Sequence, residues 1–192
     1  MYIDNWYSDS GCLLLKGLVE NVRNIEGEII EIGCWEGKST TFIANAAYPQ
    51  SIICNDTWLG NVAESKICGA KHITEIILET RDVYADFIKN MNQYTKNNYT
   101  IIKKDCIEWL KEFDKSIKFL HIDASHEYES VFETIQLALP KIIKGGIICG
   151  DDFKNSNINR LDLHGGVEKA VRESFKQFYT IDNFWFWIKK TD

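Results

Sequence analysis

Two short stretches carry the groups best suited to proton or metal chemistry. Ile122-Asp-Ala-Ser-His126 offers a carboxylate and an imidazole, and Gly150-Asp-Asp152 offers two more carboxylates. Carboxylates brought together resist ionising unless a cation lies among them, and an all-oxygen set favours a hard ion such as Mg²⁺. Asp123, Asp151 and Asp152 are therefore the candidate metal ligands. Asp123 and His126 are the candidate catalytic pair, because an imidazole with a pKa near ~6.5 can accept a hydroxyl proton near neutral pH. His164 is a second candidate base. His121 reads as structural among its apolar neighbours, and His72 as part of a mobile segment.

A second constellation points to a nucleoside ligand. Gly33 and Gly37 lie in Glu31-Ile-Gly-Cys-Trp-Glu-Gly-Lys-Ser39, where absent side chains allow a tight turn and close approach of a ligand. Ser39 or Thr40 can cap the helix that follows. A dinucleotide loop reads G-x-G-x-x-G and sets its helix N-terminus against a pyrophosphate. Here the spacing is G-x-x-x-G, and Trp35 stands where the second glycine belongs, so a pyrophosphate cradle is not expected. Asp56 follows the next apolar run, at the place where a carboxylate would meet a ribose diol.

These residues need elements to position them. Short apolar runs at 28–32, 51–54, 99–103, 117–122 and 147–149 alternate with helical spacing at 39–47, 74–91, 106–113, 129–139 and 167–178, and an aromatic run at 184–189 closes the chain. Lys144-Gly145-Gly146 reads as a turn into the fifth strand. The alternation predicts a single α/β domain with a Rossmann-like, doubly wound, mostly parallel sheet and an antiparallel C-terminal strand. Residues 1–27 form an N-terminal cover in this reading, 28–192 the core, and 59–74 a lid or substrate loop. Each candidate site residue then falls at a strand's carboxyl end, where open parallel sheets bind ligands.

Four motifs together resemble the class I S-adenosylmethionine-dependent methyltransferases, in particular a small group acting in glycan and antibiotic biosynthesis. They are Glu31-Ile-Gly-x-x-x-Gly-x-Ser39, Asp56-Thr-Trp-Leu-Gly60, Ile122-Asp-Ala-Ser-His-Glu-Tyr-Glu-Ser-Val131 and Gly145-Gly-Ile-Ile-Cys-Gly-Asp-Asp152. The resemblance implies that Glu31, Gly33 and Gly37, with Ser39 beside them, surround the amino-acid end of S-adenosylmethionine. It further implies that Asp56 holds the ribose, that Asp105 and Cys106 lie by the adenine, and that Asp123 borders the cofactor. Trp58 can stack on the adenine or on a substrate ring. Sugar O-methyltransferases similar in this region bind a divalent metal through aspartates of the last two motifs. Their first metal motif commonly reads Asp-Gly-Asp, with the second aspartate as base, where this chain has Asp123-Ala-Ser125 followed by His126.

The bulk properties agree with a small-molecule enzyme. At 192 residues with 45% apolar content the chain can bury one substantial core. A net charge of -6 argues against nucleic-acid binding, which needs clustered Lys and Arg. No apolar run approaches ~20 residues and no signal peptide is recognised, so a cytoplasmic location without membrane attachment is expected. Six scattered cysteines without a C-x-x-C pair read as reduced thiols. The expected activity is S-adenosylmethionine-dependent O-methylation of a small hydroxylated acceptor, a sugar or nucleotide sugar, with Mg²⁺ as the accompanying ion and a homodimer as the assembly it admits. The rival readings are a cofactor-binding module without catalysis and a nicotinamide-dependent dehydrogenase, which Trp35 disfavours.

Overall fold

Side-chain alternation along the central strands decides the layering. A computed structural model describes residues 2–4, 6–153 and 165–190, so the candidate His164 lies outside the described residues. In chain order the elements are α1 (Asp9–Asn21), β1 (Glu28–Ile32), α2 (Lys38–Ala47), β2 (Ile52–Asn55), α3 (Val62–Cys68), α4 (Ile73–Leu78) and α5 (Val83–Tyr94). They continue as β3 (Tyr99–Ile102), α6 (Cys106–Glu112), β4 (Ile117–Ile122), α7 (Tyr128–Ala138), β5 (Ile142–Gly150), α8 (Gly165–Ser174), β6 (Tyr179–Ile181) and β7 (Phe184–Ile188). On one face Ile29, Phe119 and Ile147 pack with residues of α1, α2 and α5; on the other Ile30, Leu120 and Ile148 pack with residues of α6, α7 and α8. Neighbouring residues thus enter opposite cores, as a pleated strand buried on both faces requires.

The seven strands run in the order β3-β2-β1-β4-β5-β7-β6. Contacts from β3 to β5 are parallel, and β7 is antiparallel to both of its neighbours. This is the doubly wound sheet with an antiparallel C-terminal strand that the periodicity predicts. The strand order reverses between β1 and β4, the switch point where such sheets open a binding crevice.

Local readings differ in several places. The predicted turn at 144–146 lies inside β5, which runs through it with a register shift against β4. Gly146 lets the strands close up there, since a Cβ would stand 2.8 Å from Ile142 Cγ2 and 3.2 Å from the Lys118 carbonyl oxygen. The single helix expected over 74–91 is two, because Asp82 restarts the chain by accepting the Ala85 N–H. The lid stretch contains α3, and the N-terminal cover contains α1, which buries Cys12, Leu15, Leu18 and Val19 against the core. His72 is the N-cap of α4 and accepts the Thr74 N–H. No helix among the described residues is long and apolar enough to cross a membrane.

Candidate active site

Strand register puts Glu31 beside His121 and Ile32 beside Ile122, and the Asp123 N–H donates to the Ile32 carbonyl at 2.8 Å. The next residue on β1's side is Gly33, with φ +85°; a Cβ there would stand 1.9 Å from the Asp123 carbonyl oxygen. The glycine therefore serves a contact between two backbones as well as a turn. It brings the loop after β1 directly against the loop that carries Asp123 and His126.

Glu31 is fully buried and sits in a chain of polar groups. The Ser39 hydroxyl donates to its Oε1 at 2.6 Å, and His121 Nδ1 donates to the same oxygen at 2.9 Å. The Tyr7 hydroxyl lies 3.2 Å from His121 Nε2. Burial favours a neutral His121, but the Glu31 carboxylate outweighs it and raises the imidazole pKa. Among the described residues Glu31 Oε2 is a buried oxygen with no hydrogen-bond partner. The expected capping role of Ser39 or Thr40 is not what forms: the N-cap of α2 is Gly37, without a side-chain cap bond, and the Ser39 hydroxyl is committed to Glu31. Gly37 has φ +86° and a Cβ there would meet the Phe87 ring at 3.0 Å.

Asp56 ties the glycine loop to the end of β2. Its Oδ2 accepts the Cys34 and Trp35 N–H groups at 2.8 and 2.9 Å, and its Oδ1 accepts the Trp58 N–H at 2.7 Å. A carboxylate offers about four acceptor positions, so one further donor can be taken rather than both hydroxyls of a diol. Burial raises the Asp56 pKa against the pull of those three bonds. Trp58 is not poised to stack on a ligand. Its ring is 4% exposed, packs against Tyr84 and Phe87, and its Nε1 donates to the Trp35 carbonyl at 2.8 Å. Asp105 caps α6, its Oδ1 accepting the Ile107 and Glu108 N–H groups at 3.0 Å, and Cys106 Sγ lies 3.7 Å from Thr134 Oγ1.

The N-terminal segment is strapped over the glycine loop. Glu36, buried, accepts the Ile3 and Asp4 N–H groups at 2.9 and 2.6 Å, while Asp4 takes the Trp35 Nε1–H at 2.7 Å and pairs with Arg81. Trp6 stacks on Trp35 with ring centroids 5.5 Å apart.

At the ends of β4 and β5, the ligand atoms of Asp123, His126 and Asp152 lie within 4.8 Å of one another. Asp151 is not in that group; its Oδ1 accepts the Asp152 N–H at 2.9 Å, and its charge acts on Asp123 from nearby. The expected triad of aspartates is thus replaced by two aspartates and a histidine. Asp152 has φ +59°, an uncommon conformation for a side-chain-bearing residue. His126 Nε2 donates to Asp152 Oδ2 at 2.8 Å, and its Nδ1 donates to Glu64 Oε1 at 3.0 Å. Burial favours the neutral ring, but the two carboxylates outweigh it and push the His126 pKa up to about 10. At neutral pH His126 carries its proton, which corrects the expectation of an imidazole ready to accept one. Asp123 is the group near neutrality: burial first, then Asp151 and Asp152, raise it to about 7 against the pull of His121 and His126.

Sequence reasoning did not single out Glu64, Asp4 or Arg81 for the site. Only Glu64 had a local signal, since Asn61-x-x-Glu64 has the spacing of a helix-start box, and Asn61 Nδ2 donates to Glu64 Oε1 at 3.1 Å. A small cavity of about 10 Å³, room for one water, lies among Asp123, Ser125, Asp151 and Trp185. A hollow of about 490 Å³ lies at the opposite sheet edge, against Gly27, Glu28, Lys115 and Ser116, away from these groups.

The residues present suit a cationic, phosphate-free cofactor. Glu31 Oε2 is a buried acceptor that a positive group would satisfy, and the crevice edge is acidic. They also suit a divalent cation, for which Asp123, His126 and Asp152 are the convergent donors.

This sheet order with an acidic, glycine-bearing switch point defines a class I S-adenosylmethionine-dependent methyltransferase. The chain belongs to the family described as the methyltransferase domain, whose model matches residues 30–153. Among solved structures it is similar to the O-methyltransferase NovP at 18% identity and TM-score 0.68, over 94% of this chain and 79% of that one. It is also similar to the calicheamicin methyltransferase CalS11, at 16% identity and TM-score 0.64, over 95% and 79% of the two chains. Cofactor-bound Rv0187 from MTB aligns over 100% of this chain and 84% of its own, at 14% identity and TM-score 0.70. No curated protein matches the sequence.

Proposed function

We propose that the chain transfers a methyl group from S-adenosylmethionine to a hydroxyl of a small acceptor, a sugar or nucleotide sugar. The observation that carries this reading is the contact of Gly33 with Asp123, which sets a carboxyl of pKa about 7 against the cofactor loop. The likeness to the O-methyltransferase NovP and the calicheamicin methyltransferase CalS11 supports it.

S-adenosylmethionine, when bound, supplies an electrophilic methyl carbon on a positively charged sulfur. Glu31 and Ser39 receive its amino-acid end, and Asp56 accepts one ribose hydroxyl at its remaining acceptor position. Asp105 and Cys106 border the adenine. Asp123 would take the acceptor hydroxyl's proton, leaving that oxygen as the nucleophile toward the methyl group and a neutral thioether as the leaving group. The protonated His126 steadies the developing negative oxygen. Most of the rate comes from positioning and from charge fixed in place before reaction. A divalent cation held by Asp123, His126 and Asp152 would displace the His126 Nε2 proton and take over its role, supplying a positive charge that makes a nearby hydroxyl more acidic.

Mass spectrometry of candidate acceptors incubated with the protein, S-adenosylmethionine and Mg²⁺ tests the proposal, with and without chelator. The expected result is an acceptor heavier by one methylene. A broad panel of sugars and nucleotide sugars left unmodified, with cofactor still bound, would favour the non-catalytic binding module.

A further inference from the structure

Glu64 lies outside the four methyltransferase-like motifs and stands on α3, in the stretch predicted as a lid, yet its side chain is 1% exposed. A carboxylate at such depth is costly unless its oxygens are satisfied. Its Oε1 accepts the His126 backbone N–H at 2.9 Å, the His126 Nδ1–H at 3.0 Å and Asn61 Nδ2–H at 3.1 Å. Its Oε2 faces His72 Nε2 at 3.5 Å. Asn61 Nδ2 also reaches the Ala124 carbonyl at 3.5 Å, on the loop that carries Asp123. The covering segment therefore grips one nitrogen of His126, and the other nitrogen is left to point at Asp152, 2.8 Å away.

We propose that Glu64 is a positioning residue: by holding the Nδ1–H of His126 it presents Nε2 to the Asp123–Asp152 pair, so that with α3 seated a divalent cation that displaces the Nε2 proton completes its site there. A carboxylate behind a histidine fixes the ring's orientation and strengthens its other nitrogen as a metal ligand. One imidazole beside two carboxylates suits Mn²⁺, Co²⁺ or Zn²⁺ better than Mg²⁺, which favours all-oxygen surroundings. The proposal rests on reading the Asp123 cluster as the reaction centre, and it changes the ion expected there. It also gives α3 a chemical role, because an open α3 leaves His126 without the partner that aims it.

The test needs neither acceptor nor turnover. Mn²⁺ is titrated into the full chain by electron paramagnetic resonance, and S-adenosylmethionine binding is measured separately by calorimetry. Wild type is expected to bind Mn²⁺ at least about tenfold more tightly than Mg²⁺. Glu64→Ala is expected to weaken Mn²⁺ by about 10–100-fold while cofactor affinity stays within about twofold. Glu64→Gln, which keeps an acceptor oxygen in reach of Nδ1, should recover most of the loss. With diamagnetic Zn²⁺ bound, nitrogen-15 resonances of the His126 ring should show the remaining proton held on Nδ1 in wild type and that bias lost in Glu64→Ala. The proposal is overturned if wild type binds no Mn²⁺, if Mg²⁺ binds as tightly, or if Glu64→Ala matches wild type. It is overturned as well if Glu64→Ala loses cofactor and Mn²⁺ together, since that is the behaviour of a lid residue holding only the fold. Failure to find a methylated product, with these results intact, would remove the O-methyl transfer reading and leave the role of Glu64 standing.

Discussion

The carbonyl oxygen of Asp123 occupies the space that a side chain on Gly33 would need, 1.9 Å from an ideal Cβ. The obstruction is backbone on both sides, so no rotamer change relieves it. It joins the glycine loop to the carboxylate cluster.

Gly33→Ala must therefore displace the end of β4 and adopt a left-handed conformation as well. Destabilisation of about 2–4 kcal/mol is expected from the clash and the strained φ together. Urea unfolding measures it, and calorimetry should find S-adenosylmethionine affinity reduced along with it. An alanine variant of wild-type stability would mean that the two backbones are not in contact.

Asp123 holds its proton more tightly in the folded chain, at about 7 against 3.8. Between those values the folded state binds more protons than the unfolded one, so this group's contribution to stability falls as pH rises. Asp123→Asn should raise the melting temperature above pH 7 and make little difference below pH 3.8, while abolishing methyl transfer. His126, also raised, slopes the same way with pH, but its charged form adds stability whereas ionised Asp123 subtracts it. Its contribution is fully present below 6.5 and is lost as pH rises through about 10, so His126→Ala should be most destabilising on the acid side of that window. Melting temperatures across pH for both variants check the two windows.

Trp58 is core by burial and by its bond to the Trp35 carbonyl. Trp58→Phe should lower unfolding free energy by about 1–2 kcal/mol through lost volume and an unanswered carbonyl. Cofactor affinity should change far less than in Asp56→Ala. A Trp58 variant of full stability that loses the cofactor would restore the stacking role.

The N-terminal strap depends on Glu36, whose two oxygens receive the Ile3 and Asp4 amides. Replacing the carboxylate by an amide weakens charge-assisted bonds. Glu36→Gln should speed amide hydrogen exchange at Ile3 and Asp4 by at least about tenfold, with exchange in β1 unchanged. Equal rates would show that the strap is held by Trp6 and Asp4 instead.

Much of the fold was legible because its signals are local. Glu28–Ile32 and Ile117–Ile122 were bounded correctly, since central parallel strands bury both faces and read as unbroken apolar runs. Helix α1 was not recognised, because Gly11 and Gly17 weaken its propensity and its burial against the core, which the sequence does not display, sustains it. The Gly145-Gly146 pair has the composition of a turn, but the close approach of Ile142 and Lys118 requires it within β5. The candidate site divides the same way. Residues at strand ends were visible, whereas Glu64 pairs with a histidine 62 positions away, across a contact that no spacing rule reports.

The most direct measurement follows a ¹³C-labelled methyl group from S-adenosylmethionine into a hydroxylated acceptor by NMR, with wild type and Asp123→Asn side by side. The account predicts the label on an acceptor oxygen with wild type and none with Asp123→Asn. Label on nitrogen or carbon, or equal transfer by both proteins, would contradict it.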